Sequence, residues 1–371
     1  MATTPTEASR TASRLIVDLD AVAANWRLAC DRAAPGTAAA VVKANAYGLG
    51  AVPVVRRLVR EGVRHLFVAR LEEALALRPH VPTNVALVVL NGLVCGEERE
   101  AKQAGLVPVL NDLASIGRWR ALARQTGEPL PAILHLDTGM NRLGLGARDV
   151  ERLAQDTKVL EGIDLRFVMT HFVAAECPDD QRNAEQLRLF HELRARLPPA
   201  ATSIANSSGL FLGAAAASDL ARPGAALYGL NPTPGRPNPM RPVVTVEARI
   251  LQLREIAPGE TVGYNATWRA ARVSRIAVIA AGYADGYHRS LSNQGAGWLA
   301  GRRAPIVGRV SMDLITVDVT DIPEAVPGAF VRVIGPELPP DEVAAAAGTN
   351  GYEILTALGA ARHQRLYRGA T

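Results

Sequence analysis

The chain has 371 residues, 48% of them hydrophobic and 21% charged, with a formal net charge of +5 and a pI of about 9.4. That is globular composition in a chain too long for one ordinary core, and its basic residues are scattered among acids rather than massed in a nucleic-acid-binding tract. Cys30, Cys95 and Cys177 are too widely spaced for a zinc site or disulfide framework, no apolar run reaches the ~20 residues of a membrane span, and the start lacks a secretory stretch. A reducing, cytoplasmic setting is therefore expected, with the cysteines as small buried hydrophobes.

Residues 1–14 read as a loose tail. RLIVDLDAV then gives a strand, leading into a helix from Ala21, and the strand can pair with either domain. From residue 38 short apolar runs alternate with amphipathic stretches. The runs are AAAVV, HLFVA, VALVVL, VPVL, PAILHL, LRFVMTHF and ATSIANS. Between them, segments such as VPVVRRLVREG and NAEQLRLFHELRARL carry one apolar face at i, i+3, i+4 spacing. Seven such units, with an eighth short strand near Asp219–Arg222, predict a closed (β/α)8 TIM-type barrel over residues 15–235; an open doubly wound sheet is the alternative. The proline-rich NPTPGRPNPMRP, residues 231–242, reads as a linker. Beyond it VTVEARI, SRIAVIAAG and LITVDVTD alternate with period two, so residues 236–371 are expected to form a mostly antiparallel β domain with a short helix near Asp341–Ala347.

Barrel sites gather at the C-terminal ends of the strands, and the notable polar residues fall there: Lys43, His135 and Asp137, His171, Asn206 with Ser207, and Arg222. A lysine closing a buried strand either snorkels to water or is a desolvated amine able to attack a carbonyl. In RPGAALYG, Gly224 permits close backbone approach, and NSSG offers hydroxyls and donors before a turn; both suit a phosphate, and both are also ordinary loop chemistry. An amine for an aldehyde together with phosphate cradles points to pyridoxal 5′-phosphate (PLP).

From about Leu15 to Tyr367 the sequence resembles the alanine racemases. The resemblance rests on VVKANAYGLG, LDTGMNRLG, THF, NSS, RPGAALYG, VGYNATW, GYADGY, GRVSMD and YEI, in the family's order. It implies an isomerase that interconverts L- and D-alanine with two bases and supplies D-alanine for peptidoglycan. Lys43 resembles the lysine that holds the cofactor and serves as one base. Tyr264 resembles the other base, which in the family acts from the opposite subunit of a homodimer. Tyr47, Ser207, Gly224 and Tyr352 resemble the phosphate ligands. Arg222 resembles the arginine at the pyridine nitrogen, with His171 supporting it and Asn206 close to the ring. Arg142 resembles the arginine near the cofactor's phenolic oxygen and the substrate. Met312 and Tyr283 resemble substrate-side residues from the partner, with Asp313 beside Met312. One position departs: where many members carry a lysine, carbamylated in several, this chain has His135, so Arg142 is expected to find another anion or a neutral imidazole acceptor. A non-catalytic PLP-binding protein would lack the β domain with Tyr264, Tyr283 and Met312. A PLP decarboxylase of the same barrel type would put an acid where Arg222 stands. A racemase of another small amino acid such as serine, or a catabolic alanine racemase, fits the sequence equally.

Overall fold

The computed structural model describes residues 11–369; most of the expected tail lies outside the described residues. The first strand, β1, runs Ser13–Asp18, and the Asp18 carboxylate accepts the Ala21 N–H to cap the helix Leu19–Ala33.

The barrel strands are β2 (Thr37–Ala38), β3 (Ala40–Val41), β4 (His65–Val68), β5 (Ala86–Val89), β6 (Val107–Leu110), β7 (Leu130–His135), β8 (Ile163–Met169), β9 (Ala201–Ser203) and β10 (Leu220–Ala221). β3 to β9 form one parallel sheet in chain order. β2 continues into β3 across Ala39 and pairs in parallel with β10. Backbone bonds complete the ring: Ala39 N–H to Ala221 O (2.8 Å), Val41 N–H to Pro223 O (2.9 Å) and Arg222 N–H to Ala205 O (2.8 Å). The last strand is thus clasped on both sides, which an open sheet would not allow. Leu66, Phe67, Val68, Leu87, Val88 and Val89 are fully buried, as expected for strands covered on both faces. The outer helices are amphipathic as read. Ala51–Glu61 buries Ala51, Val54, Val55 and Leu58, and ends where left-handed Gly62 returns its N–H to Leu58 O and Val59 O.

The second sheet is built on β11 (Val244–Ile256), with β12 (Thr261–Val262) and β13 (Trp268–Arg269) as a separate hairpin. Its other strands are β14 (Ser274–Ile279), β15 (Ala296–Leu299), β16 (Arg302–Pro305), β17 (Ile315–Asp318), β18 (Phe330–Ile334) and β19 (Gln364–Arg368). β1 lies in this sheet, antiparallel to β11 and parallel to β19. A register shift between Ile250 and Gln252 lets the long β11 serve β1 and β18 at one end and β14 along the rest. Val244, Val246, Ala248 and Ile250 are buried as the alternation predicts. Glu247 is also buried, because Arg14 (2.6 Å) and Arg332 (3.4 Å) cover and neutralise it. The cysteines differ from expectation. Cys30 is half-buried, but Cys95 and Cys177 are exposed, since both sit in turns outside the packed elements.

Candidate active site

At the C-terminal rim of the barrel a cleft of about 990 Å³ is lined by Lys43, Tyr47, His135, Arg142, His171, Asn206, Ser207, Arg222, Gly224 and, from the second unit, Tyr352. All of these were singled out from the sequence, although they come from six separate stretches of chain.

Lys43 is placed by an unusual turn. Residues 44–47 all take φ between 52° and 55°, a left-handed turn built without glycine. For L-residues this costs roughly 1–2 kcal/mol per residue. Compensating bonds hold it: Ala46 N–H to Val42 O (2.9 Å), Gly48 N–H to Ala44 O (2.7 Å), Gly50 N–H to Asn45 O (2.9 Å) and Ala51 N–H to Asn45 Oδ1 (2.8 Å). The Glu73 carboxylate adds a clamp, accepting the Ala44 N–H on one oxygen (2.6 Å) and the Ala69 and Arg70 N–H groups on the other (2.7 and 3.3 Å). The turn directs Tyr47 inward, where its ring packs on Tyr228 (4.7 Å between centroids) and near Tyr352 (6.2 Å). Burial, then the Arg142 charge, lowers the Lys43 pKa, and Glu73 pulls the other way.

The opposite wall is a donor cradle. Ser207 Oγ accepts the Gly224 N–H (3.0 Å) and the Ala226 N–H (3.2 Å), which leaves its own proton to be donated elsewhere. At Gly224 a Cβ would come within 2.3 Å of Tyr47 Oη and 3.3 Å of Val41, so only glycine allows this approach. Tyr352 Oη donates to Glu176 (3.2 Å), and Asn206 accepts the Gly209 N–H (2.8 Å). The Gly224 N–H is thus paired with Ser207 here, while the Ser207 hydroxyl proton has no partner among the described residues.

Arg222 is buried and anchored from behind. Its guanidinium donates to Ser203 Oγ (2.6 Å) and to the Thr170 carbonyl (2.5 Å). Burial pushes its pKa down to about 10, which still leaves it charged at neutral pH. Among the described residues no hydrogen bond joins it to the His171 side chain, so the support expected of His171 falls to Ser203 and Thr170. Both histidines are held neutral: burial, then Arg222, pushes His135 down to about 4 and His171 to about 3. The His135 tautomer follows from its neighbour. Asn111 Nδ2 points at the carbonyls of Leu90 (3.3 Å) and Val109 (3.4 Å), so Oδ1 faces His135 Nδ1 at 2.8 Å and Nδ1 carries the proton. Nε2 is left as a neutral acceptor at the cleft. The Arg142 loop returns beside this ring through Gly144, where a Cβ would sit 3.2 Å from the imidazole.

Tyr264, Tyr283, Met312 and Asp313 do not line this cleft. They lie on loops of the second unit, with Tyr264 67%, Met312 52% and Tyr283 41% exposed. Glu73, Asn111, Ser203, Thr170 and Glu176 were missed by sequence reasoning; they act through neighbours, and no local spacing marks them.

The cleft suits PLP in its donor set. It offers a desolvated amine, three hydroxyls, a glycine at the limit of approach and two arginines, with room for a small aromatic anion. Fold and site together define a PLP-binding barrel joined to a β domain. Residues 17–232 match the alanine racemase N-terminal domain and residues 243–367 the alanine racemase C-terminal domain, and the chain belongs to the alanine racemase family. It is 53% identical to the alanine racemase of Acidiphilium cryptum over 95% of this chain and 98% of that one. It is 48% identical to the alanine racemase of Rhodospirillum rubrum, with 97% of each chain covered. The crystal structure of Bartonella henselae alanine racemase with covalently bound pyridoxal phosphate superposes with a TM-score of 0.93 at 40% identity, covering 96% of this chain and 99% of that one.

Proposed function

We propose that this protein is a PLP-dependent isomerase that interconverts L-alanine and D-alanine, using Lys43 and Tyr264 as bases on opposite faces of the substrate. The observation that carries the reading is the desolvated Lys43 amine facing a hydroxyl cradle and a buried arginine across one cleft. Bound there, PLP supplies an aldehyde to hold the amino acid and a conjugated ring to delocalise the charge left by the α-proton.

The chain's own residues do the rest. Tyr47 and Ser207 offer hydroxyls to the phosphate end, and the Gly224 N–H and Tyr352 hydroxyl, held here by Ser207 and Glu176, would turn to it once the phosphate is bound; Asn206 lies by the ring. Arg222, fixed by Ser203 and Thr170, presents a permanent donor to the ring nitrogen, which therefore stays unprotonated. A weaker electron sink favours rapid return of the proton over transamination or decarboxylation. Arg142 faces the substrate side, with the neutral Nε2 of His135 as the acceptor near it. His171 adds bulk without charge.

Lys43 Nζ removes or returns the α-proton on one face. A single rigid base serves the other face poorly, so a second is needed there. Tyr264, exposed on its own chain, fills that role in a homodimer, reaching the partner's cleft with Tyr283 and Met312, while Asp313 supports Met312. The barrel unit (residues 15–235) then carries the cofactor, and the β unit (residues 236–371, with β1 in its sheet) completes the neighbour's site. Among the described residues no helix is long and apolar enough to cross a membrane, and unpaired cysteines suit a cytoplasmic setting. Supply of D-alanine for peptidoglycan is the family's usual role.

Tyr264→Phe tests the assignment. In single turnovers, α-deuterium exchange from L-alanine slows much more than exchange from D-alanine. Equal slowing in both directions contradicts it, and a wild-type holoenzyme that leaves the circular dichroism of L-alanine unchanged overturns the function.

A further inference from the structure

Arg362 stands just before β19, outside the cleft described above. Its Nε and Nη2 donate to the two carboxylate oxygens of Asp285 (2.9 and 3.1 Å), and Nη2 also reaches Asp313 (2.7 Å). Asp285 is nearly fully buried and accepts the Gly282 N–H (3.0 Å). His363 donates from Nε2 to the Asp285 carbonyl (2.9 Å) while its Nδ1 accepts from Ser13 of β1 (2.8 Å), which ties the cluster to the sheet. The loops carrying Asp285 and Asp313 are themselves joined: Tyr283 N–H to Ser311 O (3.0 Å) and Ala284 N–H to Met312 O (3.0 Å). At Gly282 a Cβ would meet the Met312 carbonyl at 2.3 Å, so the two loops touch backbone to backbone. One guanidinium therefore bridges two acids beside this junction, compensating a buried carboxylate and drawing an exposed one toward it.

We propose that Arg362 is a positioning residue that locks the Tyr283 and Met312 loops into one rigid unit, and so sets how that unit meets substrate in the partner's cleft. This rests on the shared-site reading above. A planar fork can hold Asp285 through two nitrogens and still reach Asp313; a lysine is a single point charge and cannot do both. Without the clamp the backbone bonds still join the two loops, but the pair is less rigid and the exposed Tyr283 and Met312 side chains lose their fixed placement. The loss falls on substrate binding rather than on proton transfer by Lys43 and Tyr264.

The test uses holoenzyme variants Arg362→Ala, Arg362→Lys and Asp313→Asn. Arg362→Ala is expected to raise KM for alanine about tenfold with kcat held within about threefold, and Arg362→Lys to recover only part of this. Asp313→Asn removes only the exposed arm and leaves no buried charge uncompensated, so it reports on the clamp even if Arg362→Ala folds poorly; KM is expected to rise about threefold. Chains carrying Lys43→Ala are then co-expressed with chains carrying Arg362→Ala under different affinity tags, and the hybrid is isolated. Its single Lys43-bearing cleft lies on the Arg362→Ala chain and faces the intact Arg362 of the other chain, so a wild-type KM is expected. The variant KM in that hybrid, or a protein that sediments as a monomer, overturns the shared-site reading. A wild-type KM in both the Arg362→Ala and Asp313→Asn homodimers, or a loss confined to kcat, overturns the clamp itself.

Discussion

Replacing Glu73 by glutamine separates the two things that this carboxylate does at the lysine. It holds the left-handed turn through Ala44, Ala69 and Arg70, and its charge raises the Lys43 pKa against burial and Arg142. Glutamine keeps one acceptor oxygen and puts an NH2 against backbone donors on the other side. At least one charge-assisted bond is lost, and such bonds contribute about 1.5–3 kcal/mol when shielded, less here because Ala44 is exposed. The turn itself stores about 4–8 kcal/mol across its four left-handed residues, so a weakened clamp lets it open more often. A loss of about 1.4 kcal/mol would speed amide exchange about tenfold at Ala46, Gly48 and Gly50, whose N–H groups bond within the turn. At the same time the Lys43 amine loses its stabilising anion and becomes neutral at lower pH, so the pH midpoint for PLP capture by the apo-protein moves down. Exchange mass spectrometry and stopped-flow absorbance measure the two effects. An unchanged exchange rate in the turn, or a midpoint that stays put or moves up, would refute the reasoning.

At Gly224 an added methyl strikes the buried Tyr47 hydroxyl at 2.3 Å; Gly224→Ala should weaken PLP binding about 10- to 100-fold in fluorescence titrations of the apo-protein, the scale of an overpacked site. The buried histidines set the acid limb of stability. His65, His135, His171 and His363 all titrate below their ordinary value in the fold, His135 at about 4 and His171 at about 3, chiefly through burial. The unfolded chain therefore takes up these protons first, and stability falls as the pH drops below about 6.5, before the carboxylates titrate. The urea midpoint of the apo-protein should decline steadily from pH 7 to pH 5; a flat midpoint there would contradict burial in the neutral form.

The barrel was legible because parallel strands buried on both faces read as continuous apolar runs, and the amphipathic helices between them as one-sided stripes. The short eighth strand expected near Asp219–Arg222 is found at Leu220–Ala221. Features carried by distant partners were not legible. Nothing in VTVEARI says that Glu247 turns inward, because the reason is Arg14 and Arg332, more than 80 residues away on either side. Similarly, the string KANAYG reads as a loop after a strand. The left-handed turn within it depends on Glu73, which belongs to another unit of the barrel. Residues that touch a ligand repeat as motifs, whereas those that hold such residues in place are known only once the chain has folded.

The electrostatics of the cleft follow from one requirement. On the proposed reading, Arg142 and Arg222 serve an anionic cofactor and a carboxylate substrate, and Lys43 must nonetheless be able to lose a proton. The first makes the second possible: burial and the Arg142 charge both disfavour the ammonium. Burial first, and then the same field, keeps both histidines of the cleft neutral, and it is Asn111, an amide rather than a carboxylate, that fixes the His135 tautomer. An aspartate at position 111 would draw a proton onto His135 and place a third permanent positive charge beside Lys43. Glu73 works in the opposite sense, at the edge of the site and mostly bonded to backbone, so that it moderates the lysine without neutralising the arginines. Burial and Arg142 thereby ease loss of the Lys43 proton and Glu73 tempers that loss, which suits the base proposed for one face of the substrate.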